Sequence, residues 1–224
     1  MRISSTLATL VVAVAASTTS FAELVIDDFT STSLLSQTGV GTVSQNTVAP
    51  SALGGNRFET TTITTGGGAA VLKVNFPLVG IAAMSSETGV NALFGFVYGN
   101  TTDLNVSLID DSFFIRVFKT DIGSLNNSMT VTTTGVGSAS APFVMPAGVG
   151  LSGPAAPFDI LIPFSSFTGA AVDFTNIDKI AYSFNPTDSA DWQVKLFGTA
   201  FIPEPSSIAL LLPSALLLAR RARA

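Results

Sequence analysis

The sequence predicts an all-β protein, an antiparallel β-sandwich, and three observations carry that prediction. The central region leans to Thr, Val, Phe, Gly, Ser and Asn and lacks runs of strong helix formers, a composition that suits pleated, half-buried strands. Apolar residues recur there with a period of two over strand-length stretches, which gives one buried and one wet face. Gly-, Asp- and Pro-containing turn clusters separate these stretches.

The elements follow in chain order. Strands are expected over residues 24–29, 57–63, 69–76, 93–98, 104–109, 113–119, 128–134, 158–163, 179–184 and 192–202. In the last of these, Trp192, Val194 and Leu196 should share the buried face, with Gln193 and Lys195 opposite. Phe158, Ile160 and Ile162 should likewise share a face against Asp159 and Leu161. Residues 113–117 are apolar on both sides except at Arg116, as for a strand near the centre of a sheet. Gly66-Gly67-Gly68 separates two strands, Asp110-Asp111-Ser112 reads as a tight hairpin, and residues 135–157 read as a long mobile loop rich in Gly, Ala, Ser and Pro. About ten short strands joined in this way imply a sandwich of jelly-roll type.

Of the 224 residues, 47% are hydrophobic and 11% charged, enough apolar material for a sizeable core. No His and no Cys occurs. That excludes a Ser-His-Asp triad, a Cys nucleophile, a Cys/His zinc site and any disulfide. Residues 23–202 hold six Lys/Arg (Arg57, Lys73, Arg116, Lys119, Lys179, Lys195) against fourteen Asp/Glu, a net charge near −8. So acidic a domain repels phosphate backbones and argues against nucleic-acid binding.

The ends differ from the middle. Arg2 is followed by an apolar run over residues 7–16 and by Ser20-Phe21-Ala22. This is the pattern of a secretory signal peptide over residues 1–22, cleaved between Ala22 and Glu23. The chain closes with Pro203-Glu204-Pro205-Ser206-Ser207, an apolar stretch over 208–219 interrupted by Pro213, and Arg220, Arg221 and Arg223. The Pro-Glu-Pro cluster continues neither strand nor helix and lies open to a protease. Twelve residues as a helix span only about 18 Å, marginal for a permanent anchor. The arginines stop transfer on the cytoplasmic side.

Pro203, Glu204 and Pro205, the short apolar segment and the terminal arginines together resemble the PEP-CTERM sorting signal of Gram-negative bacteria. Pro213 and Ala222 depart mildly from that pattern. The resemblance covers residues 202–224, leaving 23–201 as the sandwich domain. It implies that a membrane enzyme, exosortase, recognises and removes the tail after signal peptidase acts at the other end. It further implies transient anchoring in the inner membrane by a short C-terminal transmembrane helix, a destination in the cell envelope, surface or extracellular matrix, and an association with exopolysaccharide and biofilm. A second resemblance rests on Leu24-Val25-Ile26-Asp27-Asp28-Phe29 and on residues 160–167. These look like the first and a late strand of galactose-binding-like jelly rolls, domains that often bind carbohydrate and often hold a structural calcium.

The acidic groupings are Asp27-Asp28, Asp103, Asp110-Asp111, and Asp188 with Asp191. Calcium takes six to eight oxygens and Asp-rich turns supply them, so Asp27, Asp28 and Asp191 are the candidate ligands; the alternative is that these are solvated turn residues. Trp192, Tyr98 and Tyr182 are the natural sugar-stacking candidates, although Trp192 shares its expected face with core residues. Arg57, after Gly54-Gly55-Asn56, is assigned a surface or ion-pair role, with the gripping of a ligand as the alternative. The hydroxyls of residues 60–65 and 130–134 should line sheet surfaces. The leading expectation is a non-catalytic surface or matrix protein. A carbohydrate-binding module with a defined sugar site comes second, and an envelope glycoside hydrolase, which needs two facing carboxylates, third.

Overall fold

The computed structural model describes residues 24–99, 104, 108, 110–150, 157–186 and 188–200. The expected signal peptide with its Ala22–Glu23 boundary, the strand over 104–109 for the most part, and the tail with Pro203, Glu204, Pro205, Arg220, Arg221 and Arg223 lie outside them. No helix among the described residues is long and apolar enough to cross a membrane.

Two antiparallel sheets face each other, with strands numbered in chain order. Sheet A runs β11 (Phe158–Pro163), β8 (Ser112–Thr120), β14 (Asp191–Ala200), β6 (Ala82–Ser86), β5 (Ala69–Val74) and β2 (Ser33–Thr38), and β1 (Val25–Asp27) also pairs with β14. Sheet B runs β12 (Thr168–Gly169), β10 (Gly137–Met145), β9 (Ser124–Thr133), β13 (Lys179–Phe184), β7 (Asn91–Tyr98), β4 (Asn56–Thr65) and β3 (Gly41–Val48). Three connections are hairpins within one sheet: β3 to β4, β5 to β6 and β9 to β10. Most of the others carry the chain across the sandwich, and Gly66-Gly67-Gly68 is such a crossing, from β4 in sheet B to β5 in sheet A.

Alternation decides which residues meet between the sheets. Phe94, Phe96 and Tyr98 of β7 point inward beside Phe184, Tyr182 and Ile180 of the neighbouring β13, and Phe96 and Tyr98 meet Phe197 of β14 across the core. Phe29 lies edge-on to Phe197 with ring centroids 4.9 Å apart, and Tyr182 stacks on Phe197 at 4.0 Å. A second aromatic group, Phe113, Phe164, Phe167 and Phe174, closes one end of the core, with Phe164 and Phe174 stacked at 4.2 Å. Ring pairs of this kind add about 0.5–1.5 kcal/mol each beyond area burial.

Three expectations need correction. Residues 137–145 form β10 rather than part of a loop, paired with β9 from Gly137–Thr133 onward. Leu196 does not share the face of Trp192 and Val194. A β-bulge between Val194 and Leu196 turns Leu196 outward opposite Arg116 and brings Phe197 inward opposite Ile115. Arg57 takes the expected ion-pair role, with Asp27 and Glu59, but not at the surface: it is fully buried with Glu59 on the inner face of β4, while Phe58 looks outward. Phe158 shares the face of Ile160 and Ile162 as expected, but at the end of β11 it stands half exposed while the other two are buried.

Candidate functional site

The acidic residues singled out in the sequence are brought to different places and different tasks. Both carboxylate oxygens of Asp27 are engaged inside the sandwich. Arg57 Nη1 and the Tyr98 hydroxyl each donate to Oδ2 at 2.8 Å, and the Phe29 amide donates to Oδ1 at 2.8 Å. Arg57 also donates to Glu59 and to the Ser31 carbonyl, and its guanidinium lies 5.6 Å from the Phe29 ring centroid. Ser33 and Gln45 complete the coordination of Glu59 at 2.6 and 2.7 Å. Removing Arg57 would leave two buried carboxylates uncompensated, at a cost of about 3–5 kcal/mol. Burial alone would lower the arginine's pKa, but the charge of Asp27 beside it, with Tyr98 and Glu59, raises it. This centre is structural, and its atoms are closed to any ligand.

Asp28 lies outside the core and accepts from Ser51 at 2.7 Å and from Thr30 at 2.8 Å. Partial burial acts to raise its pKa, yet those hydrogen bonds outweigh it and hold the carboxyl below its ordinary value. Asp110 accepts from the Thr199 hydroxyl, and Asp188 accepts from the amides of Gly89 and Val90, at 2.5 and 3.1 Å. Asp27 pairs with Phe197 on β14, six residues along the strand from Asp191, or about 20 Å at strand rise. Asp27, Asp28 and Asp191 therefore do not form one calcium donor set. No group of three or more acidic side chains that could hold a metal occurs among the described residues.

The three expected sugar-stacking residues are core. Tyr98, Tyr182 and Trp192 are buried, and the indole Nε1 donates to the Ile122 carbonyl at 2.6 Å. Within the Thr-rich strands the hydroxyls alternate between the two faces of sheet B until Thr64 and Thr65, both exposed at the end of β4. Thr60, Thr62, Thr130 and Thr132 face outward, while Thr61 and Thr133 are buried. Some of the outward hydroxyls are tied to each other, Thr42 to Thr62 at 2.9 Å and Thr130 to Ser140 at 2.7 Å.

A groove of about 450 Å³ lies instead on the outer face of sheet A. Its floor is built by register. Lys73 of β5, Ala83 of β6, Gln193 of β14 and Lys119 of β8 form one straight row across four strands. Val71, Ser85 and Asp191 form the next row. All seven are outward positions, because Leu72, Met84, Trp192 and Val194 between them point into the core. The β5–β6 hairpin supplies the wall with Phe76, Pro77, Leu78 and Ile81, and Phe76 is 56% exposed. The site thus combines an exposed aromatic ring with amide, hydroxyl, carboxylate and ammonium groups. Composition did not signal it. The only trace in the sequence is a polar or charged residue at several outward positions (Lys73, Ser85, Lys119, Asp191 and Gln193) of otherwise apolar strands, together with an aromatic in a Pro-containing turn.

A second depression of about 460 Å³ lies where β10 and β11 part at the edge of the sandwich. Pro142, Val144, Phe158 and Leu161 make it almost wholly apolar, and its single charged residue, Asp159, is held by Arg116 through two hydrogen bonds of 2.8 Å.

No protein-family model and no curated protein sequence matches the chain. Several solved structures resemble it in shape. One is a family 11 carbohydrate-binding module from Clostridium thermocellum in complex with a β-1,3-1,4-mixed-linked tetrasaccharide, at 17% identity and TM-score 0.40, covering 80% of this chain and 95% of that one. Another is the solution structure of CtCBM11, at 17% identity and TM-score 0.44, covering 84% and 99%. A third is the enzymatically active domain of tailspike protein 4 of bacteriophage CBA120, at 8% identity and TM-score 0.32, covering 77% of this chain and 20% of that one.

Proposed function

We propose that this chain is an exported, non-catalytic carbohydrate-binding protein whose ligand lies in the groove on the outer face of sheet A. The observation that carries the reading is the groove itself: an exposed Phe76 beside a floor of Lys73, Gln193, Lys119, Ser85 and Asp191. Sugars present an apolar ring face with hydroxyls around its rim, which a ring wall and a polar floor match. The passage of the chain between the two sheets supports a jelly-roll, galactose-binding-like assignment. The lack of His and Cys and the structural tasks of the turn aspartates support binding over turnover. Export rests on the signal-peptide pattern ending at Ala22, and sorting by exosortase to the surface or matrix rests on Pro203-Glu204-Pro205 and the terminal arginines. Association with exopolysaccharide or biofilm follows from that sorting.

Affinity electrophoresis against a panel of soluble polysaccharides tests the binding reading. The protein should be retarded by at least one of them and leave its chain length unchanged. Replacing Phe76 with Ala should weaken retardation about two- to tenfold, the contribution of one aromatic contact. Unchanged retardation in that variant would remove the groove from the account, and shortening of the polysaccharide would turn it into an enzyme.

A further inference from the structure

The six basic residues of the acidic domain are not spread over its surface. Arg57 is buried between two carboxylates. Lys179 is on the outer face of sheet B. The other four, Lys73, Arg116, Lys119 and Lys195, lie on β5, β8 and β14 of sheet A. Arg116 pairs with Asp159 and lies over the Phe114 ring at 5.2 Å. Lys195 stands exposed in the bulge of β14 beside Leu196. Lys73 and Lys119 occupy the groove floor, and neither makes an ion pair among the described residues. Asp191 is the single acidic residue of the groove lining.

A net charge near −8 over the domain as a whole makes this placement consequential. Two unneutralised ammonium groups in a concave site attract anions locally even when the molecule as a whole repels them. At physiological salt the screening length is about 8 Å, so the distant carboxylates are screened while the groove lysines act on anything seated between them.

We infer that the groove takes an acidic polysaccharide, a sugar chain bearing carboxylate or sulfate groups, with Lys73 and Lys119 as its two anion anchors. The inference rests on the carbohydrate-binding reading above and adds the chemical class of the ligand. Three inter-strand steps separate the two lysines, about 14 Å between Cα atoms. That span exceeds a single sugar ring, so the ligand is a chain lying across the strands. Gln193 and Ala83 lie beneath its middle, and the Phe76 ring stands where one sugar face can stack.

The test uses the purified protein with four probes: polygalacturonate, dextran sulfate, a neutral mixed-linkage β-glucan and single-stranded DNA, each by affinity electrophoresis or titration calorimetry at two salt concentrations. Binding should favour an acidic polysaccharide over the β-glucan and weaken with salt. The double substitution Lys73→Gln, Lys119→Gln should weaken it about three- to thirtyfold, the sum of two exposed ionic contacts. Lys179→Gln, which removes one positive charge from sheet B, should leave it unchanged, whereas Lys73→Gln and Lys119→Gln, each removing one charge from the groove, should each weaken it. Equal or stronger binding of the neutral glucan, indifferent to the groove lysines, would overturn the inference and leave the carbohydrate reading standing. Equal losses from Lys179→Gln would assign the effect to net charge and overturn it as well. Preferential binding of DNA would replace the polysaccharide with a nucleic acid. Retention of none of the probes and of no polysaccharide in the wider panel would overturn both readings.

Discussion

At the scale of single residues, Tyr98 and Tyr182 show how the interior handles polar atoms. Both rings are buried, with centroids 6.3 Å apart, but among the described residues only Tyr98 has a hydrogen-bond partner, Asp27. Burial, and then the negative charge of Asp27, pushes both phenols well above the ordinary 10.0. Below pH 10 both are protonated whether the chain is folded or not, and their stabilising preference is fully present. Above pH 10 the unfolded chain loses these protons while the folded chain keeps them, so stability falls as pH rises, by up to about 1.4 kcal/mol per pH unit for each ring. Replacing Tyr182 with Phe should shallow that alkaline decline. At neutral pH it should stabilise by about 1 kcal/mol, because an unsatisfied buried hydroxyl disappears. Thermal unfolding from pH 8 to 11 checks both, and a variant less stable at pH 7 with an unchanged alkaline slope would contradict the account. Residue-level legibility was uneven. Trp192 was readable as core from its alternation, whereas the burial of Arg57 was not, since only the register of β4 against β7 and the approach of Asp27 create a partner for it inside.

At the scale of elements, strand existence was legible where alternation was strong. The limits of β11 and β13 follow directly from the pattern of Phe158-Asp159-Ile160-Leu161-Ile162-Pro163 and of residues 179–184. Strands β2, β3, β6, β10 and the two-residue β12 were not legible, and for β3, β6 and β10 the physical reasons differ. β3 is an edge strand with polar residues on both faces, and β6 is short, with Ala and Ser at its outward positions. β10 is rich in small residues and contains Pro142, tolerated because it lies beyond the two-residue β12, where one side of β10 is open. Gly66, by contrast, carries a definite requirement. Its φ is +101°, and a Cβ there would meet the Gly89 carbonyl at 2.3 Å and the Val90 Cα at 3.0 Å, where β4 crosses to β5. Gly66→Ala should therefore cost about 1–3 kcal/mol. Gly67→Ala, whose Cβ meets nothing within 4 Å, should stay within about 0.5 kcal/mol of the parent. Urea denaturation of the two variants separates them, and equal stabilities would show that the crossing does not need that conformation.

At the scale of the whole molecule, the two outer faces of the sandwich differ in kind. Sheet B presents a neutral surface of Thr and Ser with Lys179 as its one basic side chain among the described residues, and some of its hydroxyls already bond to one another. Sheet A presents four basic side chains, a groove and an exposed aromatic wall. The groove was illegible in the sequence because its residues come from four strands whose order in the sheet, β8-β14-β6-β5, follows from pairings that no local pattern specifies. Of the acidic turn residues, which were legible, Asp27, Asp28, Asp110 and Asp188 are used for building the fold, while Asp191 lines the groove. The central claim is that sheet A, and not sheet B, meets the ligand. Amide chemical-shift mapping of isotope-labelled protein titrated with an oligogalacturonate series tests it most directly. The account predicts that the largest shifts cluster at Lys73, Ala83, Ser85, Lys119, Asp191 and Gln193 and grow with ligand length until the two lysines are spanned. Shifts centred on Thr60, Thr62, Thr130 and Thr132 would contradict it.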